Sequence, residues 1–270
     1  MVEEMNEFEF EYMTDFQFKK PVSEHFYSLK FVPHTNTRQK IQIDELDIAP
    51  GAGCKSTLDS FGNRKHYGSI SSPHTSFHFH VKGRASINLT TYEDDAEMLA
   101  MFRSFTPLTT PGKGIRQWIS ETKQTPEYQK LLKKERSVFW MHRLHDKLIY
   151  EQNVTDVNTT AEEAFTLGRG VCQDYAHILL SILRMEHIPA RYVVGLMEGE
   201  GYSHAWVEAY HDQKWYSLDP TNDLLANNGY IKISHGRDYQ DCIVCKGYFS
   251  GYGPVEQKQN IRVVVRAVTA

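Results

Sequence analysis

The stretch from Gly168 to Pro189, GRGVCQDYAHILLSILRMEHIP, constrains this chain more than any other part of it. Two glycines and a valine lead into Cys172, and from there apolar side chains recur at helical spacing. Tyr175, Ala176, Leu179, Ile182 and Leu183 fall on one face. Pro189 stops the pattern, because proline has no N–H to continue a helix. A helix this apolar must be covered, and the strands to cover it follow: RYVVGLM, SHAWVEAY, KWYSLD, GYIKIS and, further on, NIRVVVRAV at 260–268. One buried helix feeding a sheet predicts an α+β fold for residues 91–270.

Upstream the texture differs. FEFEYMTDFQF, HFYSLKFVP (25–33), RQKIQIDELDIAP (38–50) and SFHFHVKGRASINL (76–89) alternate apolar and polar residues. Turn clusters separate them at Pro50-Gly51-Ala52-Gly53 and Ser60-Phe61-Gly62-Asn63. Residues 1–90 are therefore expected to form a β-rich, sandwich-like N-terminal domain. Between the two regions, helical spacing predicts helices within YEDDAEMLAMFRSF and over 126–150. Thr160 and Glu163 form a capping-box signal for a short helix ending at Gly168.

The chain has 270 residues, 40% of them hydrophobic, which is enough for a substantial core and excludes a mainly disordered protein. Thirty basic side chains against 34 acidic give a net charge of −4, so nothing electrostatic favours nucleic acid or an anionic membrane as partner. No apolar run approaches the ~20 residues that span a bilayer. The opening MVEEMNEFEFEYM is acidic where a secretory signal is basic, so the expected location is cytoplasmic. The four cysteines, Cys54, Cys172, Cys242 and Cys245, then read as free thiols rather than a disulfide framework.

Cys172 begins the helical run, where the positive end of the dipole and unpaired N–H groups favour a thiolate. A helix-start cysteine also serves as a small packing residue, so its neighbours decide. SHAWVEAY and KWYSLD form a hairpin if His211-Asp212-Gln213-Lys214 is the turn. With a loop of either two or four residues about that centre, Tyr210 faces Trp215 and Trp206 faces Asp219. His204 then shares a sheet face with Asp219, one diagonal step away. An imidazole oriented by a carboxylate is what a cysteine nucleophile requires beside it.

These blocks, GRGVCQDYAHILLSILRMEHIPARYVVGL, SHAWVEAY and WYSLDPT in that order, resemble the core of the bacterial transglutaminase-like superfamily, whose fold is related to papain-type cysteine proteases. The likeness extends to His235-Gly-Arg-Asp-Tyr239. Pro33, Gln39 and Asp59-Ser-Phe-Gly-Asn63 are similar to the β-rich region that precedes the core in many members. The resemblance implies a Cys–His–Asp triad of Cys172, His204 and Asp219. It also implies a thioester acyl-enzyme formed from a peptide or protein amide; because water is abundant and the sequence shows no sign of a site that binds an amine and excludes solvent, hydrolysis is the more expected outcome, with glutamine transamidation or a non-catalytic binding role as alternatives. The backbone N–H of Cys172 is the foremost oxyanion donor. Tyr150, Gln173 and Trp206 are further oxyanion or cleft candidates. Such chemistry needs no metal and no organic cofactor. The oligomeric state is left open.

Several other features carry simpler readings. Asp174 is expected to stabilise the first helical turn. Cys242-x-x-Cys245 lacks a second ligand pair, and His74, His78 and His80 lie on strands without a carboxylate near in sequence, so both are expected to be structural. Trp206 and Trp215 either wall a cleft or cover the Cys172 helix. Arg184 and Arg191 mark only a helix end and a strand start.

Overall fold

The computed structural model describes residues 5–51, 53–251 and 255–268; Met1–Glu4 of the acidic opening and Ala52 of the expected turn lie outside them. The β-rich part consists of β1 (Met5–Leu29), β2 (Gln39–Ala49), β3 (Lys55–Leu58), β4 (Arg64–Ile70) and β5 (His74–Asn88). β1 is continuous for 25 residues and has two sets of neighbours. Its first part pairs with β5 on one side and, on the other, with a strand from the far end of the chain. Its second part pairs with β4 and with another late strand. Alternate residues Phe8, Phe10, Tyr12, Phe16 and Phe18 point inward with Phe77, Phe79 and Val81 of β5, as a period of two requires. The result is one eight-stranded sheet bent into a half-barrel around an aromatic core.

The middle of the chain supplies α1 (Leu99–Phe102), α2 (Lys113–Lys123), α3 (Pro126–Gln129), α4 (Glu135–His145), β6 (Ile149–Tyr150), α5 (Ala161–Leu167), β7 (Arg169–Gly170) and α6 (Cys172–Met185). The helix expected over 126–150 is two separate pieces. Between them the Glu135 carboxylate accepts the Leu132 N–H at 2.7 Å, closing a turn with a side chain in place of a backbone acceptor. The helix expected from Tyr92 is only α1, because Glu93 and Asp95 are drawn into contacts with buried cations described below. The capping box at Thr160 and Glu163 forms as its spacing indicates, and Gly168 takes the left-handed conformation that ends α5.

The second sheet runs β12-β11-β10-β8-β13, with β8 (Ala190–Met197), β10 (His204–His211), β11 (Lys214–Asp219), β12 (Leu224–Leu225) and β13 (Tyr230–Gly236). Ala205, Val207, Ala209 and Leu218 face α6 and join its buried side chains in one core. The remaining strands return to the half-barrel. β9 (Gly199–Gly201) pairs with β15 (Gln257–Ala267), and both β14 (Cys245–Gly251) and β15 pair with β1. The expected partition at residue 90 is thus crossed by the late strands, which complete the first sheet. No helix among the described residues is long and apolar enough to cross a membrane.

The two layers meet at β13, an outer strand of its sheet. Unpaired backbone on such an edge must find partners when buried, and two side-chain amides provide them. Gln39 donates to Lys232 O at 2.8 Å and accepts from Lys232 N at 2.9 Å. Asn63 does the same for His235, at 2.7 and 2.8 Å. Asn63 is fully buried, so Asn63→Leu strands two backbone groups. A loss of about 2–4 kcal/mol in urea unfolding is expected. An unchanged midpoint would show that the clamp is dispensable.

Candidate active site

α6 begins at Cys172, so the sulfur and the first free N–H groups of the helix lie together. The entry is tightly built. Asp174 folds back so that its Oδ2 accepts from Val171 N and Thr155 Oγ1, both at 2.7 Å. This matches its expected part in the first turn. A Cβ on Gly170 would lie 2.4 Å from that same oxygen, which explains the glycine two positions before the cysteine. Burial pushes the Asp174 carboxyl upward against these hydrogen bonds.

The hairpin supplies the other two groups. Tyr210 pairs with Trp215 and His211 with Lys214, leaving Asp212-Gln213 as a two-residue loop. Both loop residues have positive φ, 47° and 63°, the conformation that suits the twist of adjoining strands. In this register His204 and Asp219 share a face, and His204 Nε2 lies 2.7 Å from Asp219 Oδ2. The Cys172 side chain neighbours the same imidazole closely enough to raise it. The structure therefore brings Cys172, His204 and Asp219 together.

Asp219 is fully buried and saturated with donors. Oδ1 accepts the backbone N–H groups of Thr221 at 2.9 Å and Asn222 at 3.2 Å. Oδ2 accepts Asn222 Nδ2 at 2.7 Å and the Tyr230 hydroxyl at 2.8 Å, besides His204. Burial alone would raise this carboxyl, but the His204 contact and the other donors hold it below the ordinary range. Tyr230 and Asn222 escaped sequence reasoning. Asn222 follows Asp219 in DPTN, an Asx-turn spacing that offered a signal; Tyr230 reaches the carboxylate from β13 and left none.

For His204, burial opposes the charge. The Asp219 hydrogen bond and the Cys172 side chain outweigh it and raise the imidazole to about 10. A folded pKa above the ordinary 6.5 means stability that is fully present below about pH 6.5, declines above it, and is gone once pH passes about 10. The urea midpoint of the wild type should accordingly fall between about pH 7 and pH 9 more steeply than that of His204→Gln. Parallel slopes would mean that the imidazole is not held charged.

The other candidates are placed as follows. Tyr150 is half exposed, on β6, paired in parallel with Gly170 two residues before Cys172. Gln173 is partly exposed in the first turn of α6. Trp206 is buried, stacked at 27° on the His204 ring with centroids 6.3 Å apart and edge-on to Tyr230, and its Nε1 has no partner among the described residues. It backs the imidazole rather than walling an open cleft. Neither Trp206 nor Trp215 covers α6: alternate residues of their strands do so, and the indoles occupy the opposite face. A Cβ on Gly195 would meet the Trp206 ring at 2.4 Å, so that glycine makes room for it.

Trp215 lies under the Arg191 guanidinium, 4.1 Å from its carbon, and here the simple reading of the two arginines is corrected. Arg191 is fully buried in a lattice with Glu208 at 2.5 Å, Glu93 at 2.6 Å and Asp95 at 3.4 Å. Lys232 reaches the same Glu93 and Glu208 at 2.9 Å. Arg184 is buried too, donating to Phe102 O, Thr109 Oγ1, Ala190 O and Arg237 O. Both residues are internal fastenings that tie the connecting segment to helix and sheet.

Cys242 is buried, with Sγ 3.9 Å from Tyr192 O, whereas Cys245 begins β14. His78 contacts Asp47 at 2.7 Å and His80 contacts Glu11 at 3.0 Å, with the carboxylates coming from adjacent strands. Among the described residues no group of three or more His, Cys, Asp or Glu side chains is arranged to hold a metal ion.

Known proteins share this organisation. The transglutaminase-like superfamily core matches residues 116–220, and the bacterial transglutaminase-like N-terminal region matches residues 8–86. An uncharacterized protein of Mycobacterium leprae (strain TN) is 26% identical over 268 residues, covering 90% of this chain and 93% of that one. One of Mycobacterium tuberculosis (strain H37Rv) is 24% identical over 265 residues, covering 87% and 84%. A solved structure from Cytophaga hutchinsonii, described as a candidate cysteine protease, superposes with a TM-score of 0.78 at 19% identity, covering 98% of this chain and 92% of its own. That likeness is one of fold, the half-barrel included. The chain therefore belongs to the transglutaminase-like superfamily, its core joined to the bacterial transglutaminase-like N-terminal region.

Proposed function

We propose that this chain is a cysteine enzyme acting on peptide or protein amides, with Cys172 as nucleophile, His204 as its acid and base, and Asp219 as the group that orients the imidazole. The observation that supports this most is the His204–Asp219 hydrogen bond at 2.7 Å with the Cys172 side chain beside the same imidazole. The sulfur anion attacks the amide carbonyl carbon, forming a C–S bond while the carbonyl pair moves onto oxygen. The Cys172 N–H, in the first turn of α6, is the donor for that oxyanion in this reading. His204 gives its proton to the amide nitrogen, the C–N bond breaks, and the amine leaves a thioester on Cys172. Water, deprotonated by His204, then attacks the thioester; the carbonyl reforms, the C–S bond breaks, and a carboxylic acid departs. An amine in place of water would give transamidation by the same steps.

Incubating the protein and its Cys172→Ala variant with a mixed peptide library, with and without an added primary amine, separates the outcomes by mass. Cleaved chains with wild type alone support hydrolysis. Loss of ammonia from glutamine with gain of the amine supports transamidation. Peptides retained intact, equally by both proteins, would support a binding module and overturn the catalytic reading.

A further inference from the structure

A cavity bordering the residue before His204 lies on the half-barrel side. It has a volume of about 670 Å³, within the range of small-molecule sites, and is bounded by the inner faces of β1, β5, β14 and β15. One wall is Ser203, the residue immediately before His204, and beside it stands Tyr239. His204, next in the chain, has the Cys172 side chain as its neighbour. The cavity and the sulfur thus flank the same short stretch of chain.

Two properties of the lining define what it accepts. Among the described residues no Asp, Glu, Lys or Arg contributes to it, so a charged group would enter without a counter-charge. His25 belongs to the lining, and His74, which does not, stacks on it with nitrogens 3.1 Å apart. Burial, and then the neighbouring His74, lower His25 to about 4, so the wall stays neutral near pH 7. The apolar surface is mostly aromatic. Phe18 meets Phe249 edge-on at 5.1 Å, and Phe77 and Phe79 continue the wall. Rings arranged this way offer edges and faces to another ring.

We infer that this cavity receives a neutral aromatic side chain of the peptide acyl donor, which makes the half-barrel a specificity subsite for the triad. The inference rests on the amide-acting reading of Cys172. It accounts for the β-rich region being fused to the core through shared strands rather than by a linker: a subsite must be fixed relative to the sulfur.

Two measurements test it. The first needs no reactive cysteine. N-acetyl-phenylalaninamide should raise the melting temperature of the protein, whereas N-acetyl-alaninamide at the same concentration should not. In Gln259→Trp, which places an indole at the exposed rim of the cavity, the shift should disappear. The second uses acetylated dipeptidyl chloromethyl ketones carrying Phe, Leu, Asp or Ala. The Cys172 sulfur displaces chloride and forms a C–S bond, and labelling of Cys172 with Phe should exceed Ala by about tenfold. In Gln259→Trp that ratio should fall toward one.

Equal melting shifts for the two amides, or Leu or Asp reagents ahead of Phe, would overturn the subsite. A Phe-specific melting shift with Cys172 labelled by every reagent no faster than Cys54 or Cys245 would leave an aromatic pocket standing and remove the catalytic reading, whereas fast labelling of Cys172 without preference for Phe would overturn the subsite alone. The two failures are therefore distinguishable.

Discussion

His204→Ala is expected to lower amide turnover by roughly three to four orders of magnitude, with a loss of stability smaller than that of Asp219→Ala. The rate falls because the sulfur loses both the group that takes its proton and the group that protonates the leaving amine. The stability loss is the smaller one because Asp219 retains Thr221 N, Asn222 N, Asn222 Nδ2 and the Tyr230 hydroxyl as donors. Asp219→Ala should differ in kind. It removes the acceptor from all of those groups at once, so activity and stability fall together, by about 2 kcal/mol or more in unfolding. Rates with any substrate found in the peptide library, set beside denaturation midpoints for the two variants, check the contrast. If His204→Ala unfolded as readily as Asp219→Ala, the imidazole would be primarily a structural member.

Arg191→Met should be the most destabilising single change distant from the sulfur. The guanidinium is fully buried and neutralises Glu208 and Glu93. Without it, Lys232 is the remaining ion-pair partner of both carboxylates among the described residues, with the Arg38 charge acting from further off. Removing one member of a buried ionic cluster costs about 3–5 kcal/mol, chiefly because the remaining charges stay desolvated. For a chain of this size that corresponds to a melting temperature lower by roughly 10 °C. Burial raises both carboxyls, but Arg191 and Lys232 hold them below their ordinary range; the variant should therefore also favour protonation of one of them. A change of only a degree or two would show that water or a rearranged Lys232 replaces the guanidinium.

The parts of this fold that were legible in the sequence are those governed by local periodicity. The apolar face of α6 and the alternation along β10 and β11 set the register in which His204 and Asp219 meet, and the two-residue loop at Asp212-Gln213 agrees with it. What was hidden depends on distant partners. YEDDAEMLAMFRSF has helical spacing, yet Glu93 is held extended by Arg191 and Lys232, nearly a hundred residues and more away. Gln39 and Asn63 are unremarkable polar residues until β13 presents a bare edge to them. Tyr230 joins the site from a strand that is not adjacent to β11. The return of β14 and β15 to β1 follows from no local signal, since any alternating strand could pair there.

The account turns on one physical condition, that His204 activates the Cys172 sulfur. Site-resolved alkylation by iodoacetamide at neutral pH, followed by peptide mass analysis, measures it directly. Cys172 is expected to react at least roughly tenfold faster than the other partly exposed thiols, Cys54 and Cys245, and to lose that advantage in His204→Ala. Equal, slow labelling of all three in the wild type would contradict the claim.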